Sequence, residues 1–202
     1  MDHDHVNEKT MDETREQKKS GEYLQLTVYS VVALVLAFSI RFFIAAPYLV
    51  QGASMDATFH SNNYLIIDRI SYRFEEPQRG DVIVFRYPRD PSRSFIKRVI
   101  GLPGETVVMD GHSVRIIDDT HPDGFIIDEP YAGANNMREN HLRITIDKNE
   151  YFVLGDNRDE SADSRIWGLL PRENIIGRAL VRLYPFTDIN INPGKADYQI
   201  GK

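Results

Sequence analysis

The chain of 202 residues contains no cysteine. Disulfides, thiolate nucleophiles and cysteine-ligated zinc sites are therefore excluded. The sequence also lacks runs of basic residues, and its formal net charge is -6, so nucleic acid is not an expected partner. Internal repeats and low-complexity segments are absent as well. With 42% hydrophobic residues, the chain is long enough for one folded domain and an appendage.

Charged residues are missing from a long stretch near the N-terminus. Residues 1–22 are almost wholly polar and charged, and they predict a disordered tail because they cannot bury enough surface to offset the ordering entropy.

The run over 23–40, YLQLTVYSVVALVLAFSI, has no charge. About 20 apolar residues span a bilayer as a helix, so we expect a transmembrane helix over 23–46, with Arg41 snorkelling at one end. A cleaved signal peptide and a buried helix of a soluble protein are the alternatives.

Basic residues of the tail predict the orientation of this helix. Positive charge favours the cytoplasmic side of a membrane, so the tail is expected in the cytoplasm and residues 47–202 outside it. The chain is therefore expected to be a single-pass membrane protein, with the lipid bilayer as a partner. The basic residues that carry this prediction are Lys9, Arg15, Lys18 and Lys19.

From Pro47 onward, short runs rich in Val, Ile, Phe and Tyr alternate with Gly, Pro, Asn and Asp, which is typical of strands and turns. Asp-Gly at 110–111 predicts a hairpin with a type I′ turn. Only RENII (172–176) predicts one or two helical turns. We therefore expect one mainly β, antiparallel unit over 47–202. The predicted strands are YLIIDRI, DVIVFRY, SFIKRVIG, ETVVMDG, HSVRIID, GFIIDE, LRITID, YFVLGD and RALVRLY.

A small, flexible segment with a hydroxyl group, QGASMDATF (51–59), follows the apolar run. Its Ser54 needs a base if it is to act as a nucleophile. Lys97 is one candidate: on a strand it shares a face with Phe95 and Val99, and burial lowers the pKa of an amine toward that of a general base. An edge-strand lysine that points to water is the alternative. The histidines outside the tail also remain candidate bases, namely His60, His112, His121 and His141.

A crowded polar loop, GDNRDESADSRIWG (155–168), follows the predicted strand YFVL. Its cluster of Asp156, Asn157 and Asp159 faintly resembles a calcium loop but lacks the glycine and the glutamate of one, so no metal or other cofactor is expected. The pattern is typical of a solvated turn with paired charges, or of a rigid loop that positions another group by hydrogen bonds.

Several motifs occur in a fixed order behind the apolar run: QGASM with Thr58, RGDVIVF, KRVIGLPGE and GDNRDESADSR. Together they resemble the bacterial type I signal peptidases over roughly 43–185 of this sequence. The resemblance implies a membrane-anchored serine endopeptidase that removes signal peptides from exported preproteins after small residues of the Ala-x-Ala type. It also implies Ser54 as the nucleophile and Lys97 as the general base.

The resemblance further implies supporting roles around this pair. Ser161 matches a serine whose hydroxyl holds the base lysine in place. Asp163 and Arg165 match a structural ion pair behind the site, and Asp156 matches a second supporting carboxylate. We expect the arginines at 158 and 165 to neutralise the two aspartates, so that their charge does not keep the lysine protonated.

Substrate contacts follow from the same resemblance. The Ser54 backbone N–H is expected to stabilise the oxyanion. Some relatives add a side-chain hydroxyl at the position of Gly52, which glycine cannot supply. The residues that match the lining of the shallow apolar pockets are Tyr48, Val50 and Ile96.

The sequence departs from the family at Ala57, where the pattern Ser-Met-x-Pro-Thr has proline. This departure leaves a non-catalytic, membrane-anchored binding protein as the alternative function. A LexA-like repressor also uses a Ser-Lys dyad, but it needs a DNA-binding domain where this chain has its apolar run. The tripeptide RGD (79–81) is expected to be a turn before a strand rather than an adhesion motif.

Overall fold

The computed structural model describes residues 23, 25–39, 45–132 and 140–198. The chain divides into two units, Met1–Ile44 and Ala45–Lys202. In the first unit, residues 25–39 form helix α1, which exposes apolar side chains such as Leu34 (67%) and Phe38 (66%). Among the described residues, no helix has both the length and the apolar character needed to cross a membrane.

The boundaries predicted for the N-terminal segments are only partly covered. The predicted tail over 1–22 lies outside the described residues, and so do residues 24 and 40–44 of the predicted membrane helix. The structure differs from the prediction at the end of that helix, because Ala45 and Ala46 belong to the first strand of the second unit. Their backbones pair with Asp68 and Ile67 of the next strand, and this pairing decides their conformation.

The second unit is built from antiparallel strands. They are β1 (Ala45–Leu49), β2 (Tyr64–Asp68), β3 (Val82–Tyr87), β4 (Asp90–Gly101), β5 (Thr106–Gly111), β6 (Ser113–Ile117), β7 (Phe125–Ile126), β8 (Asn140–Thr145), β9 (Glu150–Leu154), β10 (Leu170–Pro171), β11 (Ile175–Tyr184) and β12 (Asn190–Ile191). The larger sheet has the order β1-β2-β11-β3-β4-β9-β10, with β12 beside β11. The smaller sheet has the order β7-β6-β5-β8. The predicted mainly β, antiparallel fold is confirmed for this unit.

Every predicted strand segment overlaps an observed strand, whereas β1, β10 and β12 were not predicted. RENII contains one turn of 3-10 helix, Arg172–Asn174, as expected. Two further 3-10 turns, Ser71–Arg73 and Phe186–Asp188, and a short helix α2, Ser164–Trp167, were not predicted. Such single turns are too short to show the 3.6-residue periodicity that identifies a helix.

The predicted hairpin between β5 and β6 is present, but its turn type was wrong. Asp110 pairs with Ser113, so the two loop residues are Gly111 and His112. Gly111 has φ +60, whereas His112 is not among the residues with positive φ. A positive φ at the first loop residue alone is the pattern of a type II′ turn, which favours glycine at that position.

Strand β3 lies between β11 and β4 in the larger sheet and is buried on both faces. Val82 and Val84 pack into one core cluster, while Ile83 and Phe85 pack into another. A strand covered on both sides has no polar face, which explains the unbroken apolar run VIVF.

Strand β4 carries Lys97 into this core. Lys97 pairs with Ile83 of β3, and Phe95 and Val99 belong to the core cluster around Ile83. The predicted sharing of one face by Phe95, Lys97 and Val99 is therefore observed. The lysine lies on a covered face of the sheet and not on an edge that faces water.

Candidate active site

Ser54 lies in a tight turn between β1 and β2. The turn is closed by hydrogen bonds from the Asp56 N–H to the Ala53 carbonyl (3.0 Å) and from the Phe59 N–H to the Met55 carbonyl (2.7 Å). The side chains of Met55 and Phe59 are buried in the core cluster beneath it. These two apolar anchors fix a turn whose serine stays partly exposed.

Lys97 reaches Ser54 directly. Its Nζ lies 2.7 Å from Ser54 Oγ and donates to the Ile96 carbonyl at 2.8 Å. The residue is only 3% exposed, so it does not point to water. The structure therefore brings together a hydroxyl and an amine that lie 43 residues apart in the sequence.

The surroundings of Lys97 favour the neutral amine. Burial lowers the pKa of Lys97 to about 8, although Asp163 and Asp156 act in the opposite direction. The Phe95 ring lies 5.5 Å from Nζ, and its electron-rich face also favours the ammonium. Desolvation is the larger effect, because the charged form loses more hydration than these partners return.

The histidines are placed elsewhere. His60 Nδ1 lies 2.9 Å from Asp56 Oδ1, and its side chain is 67% exposed. His121 and His141 lie beside Asp118 and Asp110 in and around the smaller sheet. Within the described residues, no histidine is hydrogen-bonded to Ser54, so the arrangement offers only Lys97 as an adjacent base.

Asp163 and Arg165 form the expected ion pair. Arg165 Nε and Nη2 each donate to the Asp163 carboxylate at 2.8 Å. The same carboxylate accepts the N–H of Gly155 at 3.1 Å and caps helix α2 by accepting the N–H of Arg165. One buried side chain thus holds both ends of the polar loop that begins at Gly155.

Asp156 is neutralised by an arginine that the sequence reasoning missed. Arg98 donates from Nε (2.8 Å) and Nη2 (2.6 Å) to the Asp156 carboxylate, and Thr58 Oγ1 donates to it at 2.5 Å. Both charged side chains are almost completely buried. Arg158, which was expected to help neutralise the aspartates, forms its ion pair with Glu129 at 2.6 Å, and Asp156 acts on it through a smaller Coulombic interaction.

A signal for Arg98 was present in the sequence. It alternates with Ile96 and Ile100 along β4, on the face opposite Lys97. A charge between two apolar neighbours on one strand face is buried, and a buried charge needs a partner. The identity of that partner, 58 residues away, is set by the tertiary fold.

Ser161 lies close to the nucleophile. A Cβ at Gly155 would lie 2.2 Å from Ser161 Oγ and 2.4 Å from the Ser54 carbonyl oxygen, so glycine allows these groups to converge. Ser161 Oγ is buried and has no hydrogen-bond partner within the described residues. Its role in holding Lys97 stays a prediction. The unpartnered hydroxyl is available to accept a hydrogen bond in that role.

A cleft of about 310 Å³ opens beside Ser54 and Lys97. The predicted pocket residues Tyr48, Val50 and Ile96 all line it, and they also pack together in the core cluster. Within the described residues, the Ser54 N–H makes no hydrogen bond. The cleft can therefore receive an extended chain next to a free backbone donor.

Gly52 does not add a second donor in this arrangement. Its N–H donates to Ser61 Oγ at 2.9 Å, and that hydroxyl donates back to the Gly52 carbonyl at 3.1 Å. A Cβ at Gly52 would meet nothing within 4 Å. The space beside Gly52 is therefore open in this structure.

Ala57 has φ +80, a conformation that proline cannot adopt because its ring fixes φ near about −65°. We therefore expect Ala57→Pro to lower both kcat and the unfolding temperature. We expect Ala57→Gly to stabilise the fold by about 0.5–1 kcal/mol, since glycine tolerates positive φ. Thermal unfolding and peptide cleavage measure both effects, with the β-branched Ala57→Val as a destabilised control. A fully active Ala57→Pro of unchanged stability would contradict this turn geometry.

Comparisons with known proteins identify the family of this chain. A family model described as "Signal peptidase, peptidase S26" matches residues 23–184. A probable signal peptidase I-2 of Synechocystis sp. is 36% identical over 195 residues, which cover 92% of this chain and 86% of that protein. A signal peptidase I of Leptolyngbya laminosa is 42% identical over 161 residues, 76% of each chain. A crystal structure of a signal peptidase I from Enterococcus faecalis shares 32% identity at a TM-score of 0.44, and covers 52% of this chain and 97% of that one. From the family match and the two sequence relatives, the chain belongs to the signal peptidase I family and is a peptidase.

Proposed function

We propose that this chain cleaves signal peptides from exported preproteins after small residues, with Ser54 as the nucleophile and Lys97 as the general base. The observation that carries the proposal is the 2.7 Å contact between Lys97 Nζ and Ser54 Oγ. A serine hydroxyl is a weak nucleophile until an adjacent base removes its proton. A buried amine with a lowered pKa is suited to that task.

The proposed reaction has two halves. In the first, Lys97 Nζ accepts the Ser54 proton while Oγ attacks the scissile carbonyl, and the Ser54 N–H donates to the resulting oxyanion. The ammonium of Lys97 then gives its proton to the leaving amine. In the second half, Lys97 accepts a proton from water as the water attacks the acyl-enzyme, and the Lys97 ammonium then returns that proton to Ser54 Oγ as the ester bond breaks.

The number of hydrogen-bond donors on a neutral lysine amine supports Ser161 as the group that orients Lys97. A neutral amine has two N–H groups and one lone pair. When the lone pair faces the Ser54 hydroxyl, one N–H is accepted by the Ile96 carbonyl and the other needs an acceptor. Ser161 Oγ is a buried oxygen without a partner among the described residues, and we assign it as this acceptor.

The cleft supports a preference for small residues before the cut. Its lining by Tyr48, Val50 and Ile96 is apolar, and these residues are fixed by the core cluster that they join. A rigid apolar pocket discriminates by volume, at about 1–3 kcal/mol per methylene group. Alanine fits this description, which agrees with cleavage of the Ala-x-Ala type.

Cleavage of a preprotein by the purified full chain, in detergent or lipid, tests the proposal. We expect one product whose new N-terminus follows an Ala-x-Ala site, and no product from Ser54→Ala. N-terminal sequencing identifies the cut. Binding of the preprotein without cleavage by the wild type would instead support a non-catalytic binding protein.

The pH dependence of kcat/KM tests the base. We expect kcat/KM on a peptide with alanines before the cut to rise with pH through an apparent pKa of about 8. Below this pH Lys97 is an ammonium and cannot accept the Ser54 proton, whereas above it the free amine predominates. Ser161→Asp should move this rise, the acidic limb of the pH profile, to higher pH, because an added negative charge favours the ammonium. A limb that is unchanged in Ser161→Asp but lost on replacing His60 would rule out the lysine base.

We further propose that residues 23–44, the apolar segment before strand β1, anchor the chain in the bacterial cell membrane, with the catalytic unit outside. The uncharged run over 23–40 and the exposed apolar side chains of α1 support this. Protease added to intact spheroplasts is expected to digest the chain after Pro47 and to spare residues 1–22. Digestion of the tail with a protected catalytic unit would reverse the proposed orientation.

A further inference from the structure

Arg98 is held from two sides. Its Nε and Nη2 bind Asp156, whereas its Nη1 donates to the carbonyls of Gly80 (3.0 Å) and Gly194. The guanidinium also stacks 3.8 Å from the centre of the Tyr131 ring. One of these partners, Gly194, lies in the part of the chain that follows β12, residues 192–198, here called the C-terminal segment.

The C-terminal segment is itself tightly fastened. The Asn192 N–H donates to the Leu180 carbonyl at 2.7 Å, and the Ala196 N–H donates to the Gly80 carbonyl at 3.3 Å. The Tyr198 hydroxyl is hydrogen-bonded to the Tyr131 hydroxyl, and its ring packs against the core cluster of the smaller sheet. These contacts fix the Gly194 carbonyl that faces Arg98.

The C-terminal segment also lies against the turn that carries Ser54. A Cβ at Gly194 would lie 2.5 Å from Thr58 Cγ2 and 3.0 Å from Phe59 Cε2. Thr58 donates to the same Asp156 carboxylate that Arg98 binds. The residue after Asp156, Asn157, donates its N–H to the Ser54 carbonyl at 3.1 Å. An unbroken series of contacts thus links the C-terminal segment to the nucleophile.

We propose that the C-terminal segment is a positioning element for peptide cleavage: it fixes Arg98, and Arg98 with Thr58 fixes the carboxylate and the turn behind Ser54. This inference rests on the proposed Ser54–Lys97 mechanism. The segment is not predicted to touch the substrate, because its residues do not line the cleft. It should therefore affect kcat and leave KM unchanged.

Loss of the segment has a second consequence at Lys97. The charged and polar groups that face Lys97 are the paired carboxylates of Asp163 and Asp156, the Ser54 hydroxyl, the Ile96 carbonyl and the Phe95 ring, with Glu160 on the cleft wall. When Arg98 loses its Gly194 contact, the charge of Asp156 is neutralised less completely and water gains access. Both changes favour the ammonium of Lys97, so the acidic limb should move to higher pH.

Gly80→Ala tests the proposal with Gly104→Ala as its matched control. Both glycines have similar positive φ, +92 and +86, but only at Gly80 would a Cβ collide with the segment, 1.9 Å from the Ala196 carbonyl oxygen; at Gly104 it would meet nothing within 4 Å. We expect Gly80→Ala to lower kcat by roughly 10-fold to 100-fold, as small misplacements of reacting groups do. We expect an unchanged KM and a limb at higher pH, while Gly104→Ala behaves as the wild type.

Equal kcat values and equal pH profiles for the two folded glycine variants would overturn the proposal. If Gly80→Ala does not fold, Tyr198→Ala decides instead: it should lower kcat and shift the limb, whereas Tyr198→Phe, which keeps the ring packing, should retain most of the activity. Wild-type behaviour of Tyr198→Ala would then refute the role. Ser54→Ala is measured beside them, because activity in that variant would refute the underlying mechanism and not the positioning role.

Discussion

Lys97→Ala is expected to lower kcat by at least roughly 10⁴-fold while the chain remains folded. The variant removes the amine within 2.7 Å of Ser54 Oγ, and the described residues place no other base beside that hydroxyl. Without a base, the serine must attack as a neutral alcohol, which is a poor nucleophile. Peptide and preprotein cleavage under single-turnover conditions measure the loss, because they report the chemical step.

Two further variants separate the chemistry from the packing in this experiment. Lys97→Met keeps most of the buried side-chain volume and removes only the amine, so it should be as inactive as Lys97→Ala but more stable. Lys148→Ala removes an exposed lysine and should leave kcat unchanged. Substantial turnover by folded Lys97→Met would transfer the base role to a histidine, and His60 would be replaced next.

Arg98→Leu is expected to destabilise the fold by about 3–5 kcal/mol, the usual effect of removing one partner from a buried ion pair. The Asp156 side chain has no exposed surface, and among the described residues the variant leaves it only the Thr58 hydroxyl as a side-chain donor. A buried carboxylate that loses its counter-ion retains its full desolvation penalty. Urea unfolding of the full chain in detergent, followed by tryptophan fluorescence, measures the change.

Arg98→Leu has two controls. One variant disrupts an exposed pair of charged groups, and the other removes both partners of the buried ion pair. Asp110→Asn disrupts an ion pair with His141 whose aspartate is 83% exposed, and it should change the free energy of unfolding by less than about 1 kcal/mol. The double variant Arg98→Leu with Asp156→Leu should recover much of the lost stability, because it removes the uncompensated charge. A double variant no more stable than Arg98→Leu alone would mean that packing, and not charge, determines the effect.

The expected losses of activity in Lys97→Ala and of stability in Arg98→Leu are connected by the electrostatics of the site. The base must be neutral, yet two aspartates lie near enough to raise the pKa of Lys97. Each aspartate has its own arginine, Arg98 for Asp156 and Arg165 for Asp163. This pairing limits the stabilisation of the ammonium by the carboxylates, so burial lowers the lysine pKa. The aspartates can then brace the loop and the turn without inactivating the base.

Local patterns in the sequence determined most of the fold. Alternating and continuous runs of β-branched and aromatic residues predicted the long strands, because backbone propensity and side-chain alternation act over a few residues. Strands β1, β10 and β12 escaped prediction: AAPYL contains small residues and proline, and the other two are only two residues long. Such segments become strands because a neighbouring strand offers hydrogen-bond partners, which is a tertiary effect.

The sequence by itself also determined the candidate residues of the site: the motifs singled out Ser54 and Lys97, and the strand period placed Lys97 on an apolar face. Only the tertiary structure decided that Lys97 is buried against Ser54 and not exposed at an edge. It also decided that Asp156 pairs with Arg98, that Arg158 pairs with Glu129, and that the C-terminal segment lies behind the nucleophile. Contacts between residues far apart in sequence depend on how the sheets and loops pack together. No local pattern of residues determines which two distant charged side chains form an ion pair.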